Sequence, residues 1–174
     1  MATTPRIARP QASGKDAIAN SVLAHQPRLL EAFRRLYGTL WSHGVLDHAT
    51  KEVARLRNAR VTGCNYCRNV RFAGARASGL SEDLVALIDD GFEHSPLNDR
   101  YKLVIRYADH FLRDPHGMSA DLGAAMRRQF SGAEIVELTA GLALFMGFSK
   151  IAVVLGLEPA SMPTTVVATP DWPA

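Results

Sequence analysis

The sequence predicts an all-α fold. Apolar residues recur at three- and four-residue spacing, helix-capping signals stand between those runs, and no stretch offers a credible strand ladder. At 174 residues the chain suits one domain of ordinary size, long enough to bury a core without disulfides or metals as staples. Its 47% hydrophobic and 21% charged residues fit a soluble globular protein, and no low-complexity tract suggests extensive disorder.

The elements follow in order. Residues 1–14 carry two prolines, Ser13-Gly14 and no helical period, which reads as a flexible arm able to pack against a partner subunit. The domain proper is expected over 15–157. Leu29, Leu30, Phe33, Leu36, Tyr37 and Leu40 share one helix face, and Gly44 ends that helix. Asp47 is the N-cap of the next, which runs to about Arg60 before Val61-Thr62-Gly63 breaks it. A helix from about Cys64 to Ala77 then ends at Gly79, and Ser81 caps a short one reaching Gly91. Asn98 opens a helix stopped by Pro115, and Ser119 starts another to Phe130. Ser131 and Glu134 form the S-x-x-E capping arrangement of the last helix. From Ile135 to Leu155 that helix is apolar on nearly every side, so it is expected to be buried, in part at a subunit interface. Lys150 within it is expected to reach a boundary or meet a carboxylate. Four prolines keep 158–174 as an extended tail.

The N-terminus lacks the apolar stretch of a secretory signal, and Lys150 interrupts the most apolar region before it comfortably spans a bilayer, so no membrane role and a cytoplasmic location are expected. In a reducing compartment the pair Cys64 and Cys67, spaced C-x-x-C, reads as redox-active or metal-binding before it reads as a structural staple. Zinc needs about four ligands, and the sequence has no second cysteine pair or closely spaced histidine pair. A resident metal is therefore not expected.

A net charge of +3 is too small to argue for nucleic acid. Its distribution says more. Between Val53 and Ser81 stand Arg55, Arg57, Arg60, Arg68, Arg71 and Arg76 with no Asp or Glu, and both cysteines lie inside this stretch. The common explanation of such a run is a solvated helix face. Arg71 is the exception, since helical stepping puts Cys64, Cys67, Arg68, Arg71 and Ala75 on one stripe, where Arg68 and Arg71 would stabilise a thiolate or bind an anion.

Glu52, eleven intervening residues and Cys64-Asn65-Tyr66-Cys67, followed by an alanine-rich helix and Ser78-Gly79-Leu80-Ser81, resemble the signature of the alkylhydroperoxidase AhpD-like, or carboxymuconolactone decarboxylase, family. Asp114-Pro115-His116 and Glu134-Ile135-Val136-Glu137-Leu138-Thr139 are similar to that family too, and the resemblance covers roughly residues 20–157. It implies an AhpD-like helical fold assembled as a homo-oligomer, a trimer or hexamer, with no organic cofactor. It also implies that Cys67 attacks a hydroperoxide, that Cys64 resolves the sulfenic acid as a disulfide, and that Glu52 acts as base or proton relay.

The sequence departs from the pattern where the family has its relay histidine, because Arg71 stands there and cannot pass a proton. His48, four residues before Glu52 on the same helix face, is the candidate replacement. Three functions stay open at this point. One is a thiol-dependent peroxidase or dithiol-disulfide oxidoreductase served by a dithiol reductant. The second is a carboxymuconolactone decarboxylase-like lyase or isomerase acting on a small carboxylate, and the third is a non-catalytic family member.

Overall fold

The computed structural model describes residues 5–8, 21–159 and 161–172. Most of the expected arm at 1–14 therefore lies outside the described residues. Within it the Arg6 N–H donates to the Leu155 carbonyl at 2.9 Å.

The described chain is mostly helical: α1 (Pro27–Ser42), α2 (His48–Val61), α3 (Asn65–Asn69), α4 (Ala73–Ala77), α5 (Glu82–Ala86), α6 (Asp99–Arg113), α7 (Ala120–Gln129) and α8 (Gly132–Val154). Caps set these boundaries. Asp47, Ser81, Asn98, Ser119 and Ser131 each accept a backbone N–H two or three residues into the following helix. Ser131 and Glu134 complete the reciprocal capping box.

Helix α2 is the axis of the molecule. It packs on α4, α6 and α8, and every residue from Ala49 to Ala59 is buried. A helix enclosed on all sides has to satisfy its charges internally. Lys51 does so by donating to the Leu40 and Trp41 carbonyls at the end of α1 and to Glu137 on α8, at 2.7, 3.0 and 2.9 Å. Glu137 also accepts the Val45 and Leu46 N–H groups, so one buried ion pair fixes the α1–α2 turn against α8. Between α1, α8 and the α3–α4 junction sits an aromatic cluster in which Trp41 meets Phe72 at 4.5 Å and Tyr37 meets Phe145 at 6.2 Å between ring centroids.

The expected helix from Cys64 to Ala77 is broken in the middle. Val70–Phe72 forms strand β1, paired in parallel with β2 (Thr165–Val167) in the register Val70 to Thr165 and Phe72 to Val167. The all-α expectation gains this two-stranded sheet as a correction. The cause is competition for backbone groups. In a continuous helix the Val70 carbonyl would accept from Gly74 N–H; here it accepts from Arg55 and Arg71, while Gly74 donates to Thr169 Oγ at 2.7 Å.

The tail is accordingly built onto the domain and not merely extended away from it. The Ser42 hydroxyl donates to the Pro170 carbonyl at 2.7 Å, His43 contacts Asp171 at 2.8 Å, and Gly38 leaves room for the Trp172 backbone, which would lie 2.6 Å from a Cβ placed there.

Helix α8 is only partly covered within the single chain. By length and composition it is the one helix among the described residues apolar enough to cross a membrane. In the fold it buries Leu138, Gly141, Leu142, Phe145 and Ser149, but leaves Val136 at 69% and Val154 at 61% exposure. Lys150 reaches the surface.

Candidate active site

Gly63, at φ +70°, makes the left-handed turn that ends α2 and delivers the chain to Cys64. Cys64 is the N-cap of α3, and its sulfur accepts the Cys67 N–H at 3.2 Å. Both cysteines are buried free thiols, at 0% and 7% exposure. Cys67 opens on a cavity of about 50 Å³ whose walls include Phe33, Tyr37, Tyr66, Phe72, Phe145 and Phe148.

Burial alone would raise both thiols, because it penalises the thiolate. The two sulfurs instead separate. The hydrogen bond with Cys64 lowers the Cys67 thiol to about 7 against the opposing effect of burial, assisted by a second bond from the Ser149 hydroxyl at 3.4 Å and by the charge of Arg55. That same bond, followed by burial and the charge on Cys67, pushes Cys64 far above the ordinary thiol range. Cys64 thus keeps its proton and offers it to Cys67. Asn58 Nδ2 donates to Ser149 Oγ at 3.0 Å, which orients the hydroxyl toward the sulfur.

Arg55 lies beneath the pair. Its Nε and Nη2 donate to the Glu52 carboxylate at 2.7 and 2.6 Å, its Nη1 to the Cys67 carbonyl at 2.7 Å, and its Nη2 also to the Val70 carbonyl at 2.6 Å. Burial works against this charge, but Glu52 outweighs it and the guanidinium is held above its ordinary value. One arginine therefore ties the carboxylate, the C-x-x-C helix and the start of β1 into a single unit. Tyr37 is pushed up by burial and stays a neutral phenol.

The structure brings Cys64, Cys67 and the Glu52 helix together, but it places the other expected residues elsewhere. Both Glu52 oxygens are occupied by Arg55, and Oε1 also accepts the Phe72 N–H at 3.3 Å, so no free carboxylate faces the sulfurs. Arg71 lies on β1, off the expected helical stripe. Its guanidinium goes to Glu82 and to the Arg68 and Val70 carbonyls, and with Arg68 it lines a different pocket from the one on which Cys67 opens. The cation held beside Cys67 is Arg55, whose charge lowers that thiol. His48 stacks on Trp41, with 6.4 Å between centroids, and lies beside Gly74 and Thr169, its buried Nδ1 without a hydrogen-bond partner among the described residues.

The arginine run is also less solvated than expected, because Arg55, Arg57 and Arg71 are all buried. Arg55 carried a signal that sequence reading missed, since Glu52 and Arg55 stand at i,i+3 on one helix face. Ser149 carried a weaker one, a hydroxyl inside an apolar helix. Glu158, which accepts the Asn65 N–H at the start of α3, carried none, because only the tail's path brings it there. Among the described residues no cluster of His, Cys, Asp and Glu is arranged to hold a metal ion.

Residues 27–89 match the Carboxymuconolactone decarboxylase family. An uncharacterized Mycobacterium tuberculosis protein, found in two strains, is 37% identical over 114 residues; the match covers 65% of this chain, which spans 39% of that protein's length. A solved Agrobacterium tumefaciens structure, described as a protein of unknown function and a candidate AhpD antioxidant-defence protein, is 23% identical, with 80% of this chain and 96% of that one covered at a TM-score of 0.67. An uncharacterized peroxidase-related protein with an AhpD core from Ralstonia eutropha JMP134 is 18% identical, with 83% and 77% covered at a TM-score of 0.70. At these identities the two structures share the fold with this chain.

Proposed function

We propose that this chain, a member of the carboxymuconolactone decarboxylase family across residues 27–89 with an AhpD-like fold, is a thiol-dependent oxidoreductase that reduces hydroperoxides through Cys67 and Cys64. The observation that carries the reading is the placement of the two sulfurs: Cys67 opens on the apolar cavity with the Ser149 hydroxyl donating to its sulfur and Arg55 holding its carbonyl, and the buried Cys64 sulfur accepts the Cys67 N–H. Cys67 is poised to ionise near neutrality, while Cys64 holds a proton against it.

The chemistry then balances without a relay histidine. The Cys67 thiolate attacks the terminal oxygen of the hydroperoxide, the O–O bond breaks, and Cys67 becomes a sulfenic acid. The departing alkoxide takes the Cys64 proton and leaves as the alcohol, converting Cys64 to a thiolate. Cys64 attacks the Cys67 sulfenic sulfur, the disulfide forms, and the released hydroxide takes a proton from solvent to become water. Two electrons from an external dithiol, in two exchange steps, restore the thiols. Arg55, oriented by Glu52, supplies the positive field for the charged sulfur, and Ser149 supplies the second donor.

The cavity favours this reading over a lyase acting on a small carboxylate. Its walls are apolar, and the donors of Arg55 are already engaged by Glu52 and two carbonyls, so it offers no free cation to a carboxylate. An uncharged hydroperoxide group enters such a space at lower desolvation cost. A cytoplasmic setting, with its dithiol reductants, belongs to the same proposal.

Assembly is proposed on separate grounds, the uncovered apolar side chains of α8 being where copies of the chain meet. A stable 19.0 kDa monomer in light scattering would contradict that assembly.

The test of function is addition of one equivalent of an organic hydroperoxide to the reduced protein. The expected product is the corresponding alcohol, with loss of two hydrogens on the peptide carrying Cys64 and Cys67. Cys67→Ser should yield no alcohol, whereas Cys64→Ser should stop at a Cys67 sulfenic acid. Unchanged thiols beside intact hydroperoxide would sink the proposal.

A further inference from the structure

Helix α3 has two faces. Tyr66 and Cys67 look into the apolar cavity, while Asn65, Arg68 and Asn69, stepping by three and four, line a second pocket of about 330 Å³ together with Arg60 and Arg71. No acidic residue lines this pocket. Arg71 is paired with Glu82 at its edge, but Arg60 donates only to the Val85 and Ala86 carbonyls, and Arg68 has no carboxylate partner among the described residues.

We propose that this basic pocket, on the side of α3 away from the thiols, binds a phosphate-class dianion, either inorganic phosphate or the phosphate group of a small molecule. Arg60 and Arg68 face this space and repel each other with no carboxylate between them, and a guanidinium is a planar fork suited to two oxygens, whereas the Arg71 fork beside them is already closed by Glu82 and two carbonyls. A single carboxylate satisfies one such fork. A tetrahedral dianion offers acceptors in several directions and meets both Arg60 and Arg68. The unrelieved field is visible at Arg60, where burial and then the neighbouring Arg68 push the guanidinium below its ordinary value, although Asp89 acts the other way. The walls are already organised, since Asn69 donates to the Asn65 carbonyl and side-chain oxygens at 2.9 and 3.2 Å, and Arg60 is held by the α5 carbonyls.

The test is calorimetry and thermal unfolding of the full chain with inorganic phosphate, against sodium chloride at equal ionic strength. Wild type should bind saturably and unfold at a higher temperature as phosphate rises. Arg68→Ala removes an exposed side chain with no ion pair, so its fold is kept, and it should bind at least about tenfold more weakly. Arg68→Lys should recover only part of the loss, and Arg113→Ala, a surface arginine elsewhere, should bind as wild type. Chloride reproducing the effect, or Arg68→Ala binding as tightly as wild type, overturns the site. Malonate binding as tightly as phosphate overturns the ligand class. Neither readout involves the sulfurs, so this result stands apart from that of the hydroperoxide experiment.

Discussion

Arg55 and Arg57 stand two residues apart on α2 and are both buried, at 5% and 2% exposure, yet they serve different neighbourhoods. Two residues turn a helix by about 200°, so the side chains leave on opposite sides. Arg57 reaches Asp109 on α6 at 2.6 Å and Asp90 at 2.8 Å and lies over the Phe92 ring, joining α2 to its neighbours through side chains only. Arg55 divides its donors between a carboxylate and two carbonyls, and those carbonyls belong to the C-x-x-C helix and the strand after it. The comparison teaches that an ion pair becomes part of a reactive site through the backbone it holds as much as through its charge.

Arg55→Ala should have the largest effect, because it leaves Glu52 buried and unpaired, at a cost of about 3–5 kcal/mol in denaturant unfolding. The same change should slow Cys67 alkylation at pH 7, as loss of the positive field raises the thiol and leaves less thiolate. Glu52→Gln separates the two effects, since it retains Arg55's carbonyl contacts and should cost less stability.

Arg57→Ala should also destabilise, by about 1.5–3 kcal/mol for the charged hydrogen bonds lost to partly exposed Asp109. Its Cys67 alkylation profile should match wild type. A shift as large as that of Arg55→Ala would erase the distinction between the two arginines.

Smaller effects define the edge of the site. Ser149→Ala removes one neutral donor from the Cys67 sulfur and should slow alkylation at pH 7 roughly threefold, as expected for a single hydrogen bond. Arg71→Ala should leave that rate unchanged, because its guanidinium is committed to Glu82 and to backbone carbonyls. A slowing by Arg71→Ala equal to that of Ser149→Ala would return Arg71 to the thiol site.

Local signals made much of this fold legible. The caps at Asp47, Ser81, Asn98, Ser119 and Ser131 lie where side-chain chemistry places them, because a cap depends on residues within one turn. The α3–β1–α4 break was illegible for the opposite reason. It depends on Arg55 capturing the Cys67 and Val70 carbonyls from twelve and fifteen residues away, and on a strand almost a hundred residues downstream. The break puts Arg71 on a strand and off the helical stripe, and Arg55, whose i,i+3 partner Glu52 is local, is buried and not solvated. Cys64 and Cys67 stand out in the sequence because their spacing is local; the lowering of the Cys67 thiol depends on its hydrogen bond with Cys64 and on Ser149 and Arg55, and the last two come only from the tertiary structure.

The central claim is the asymmetry of the two thiols, and pH-dependent iodoacetamide labelling with peptide mapping measures it most directly. The reduced protein should label at Cys67 with a midpoint at about 7, the rate rising with pH as the thiolate forms, while Cys64 stays unlabelled across the same range. Labelling of Cys64 ahead of Cys67, or of neither cysteine until the pH passes that of an ordinary thiol, would contradict the account.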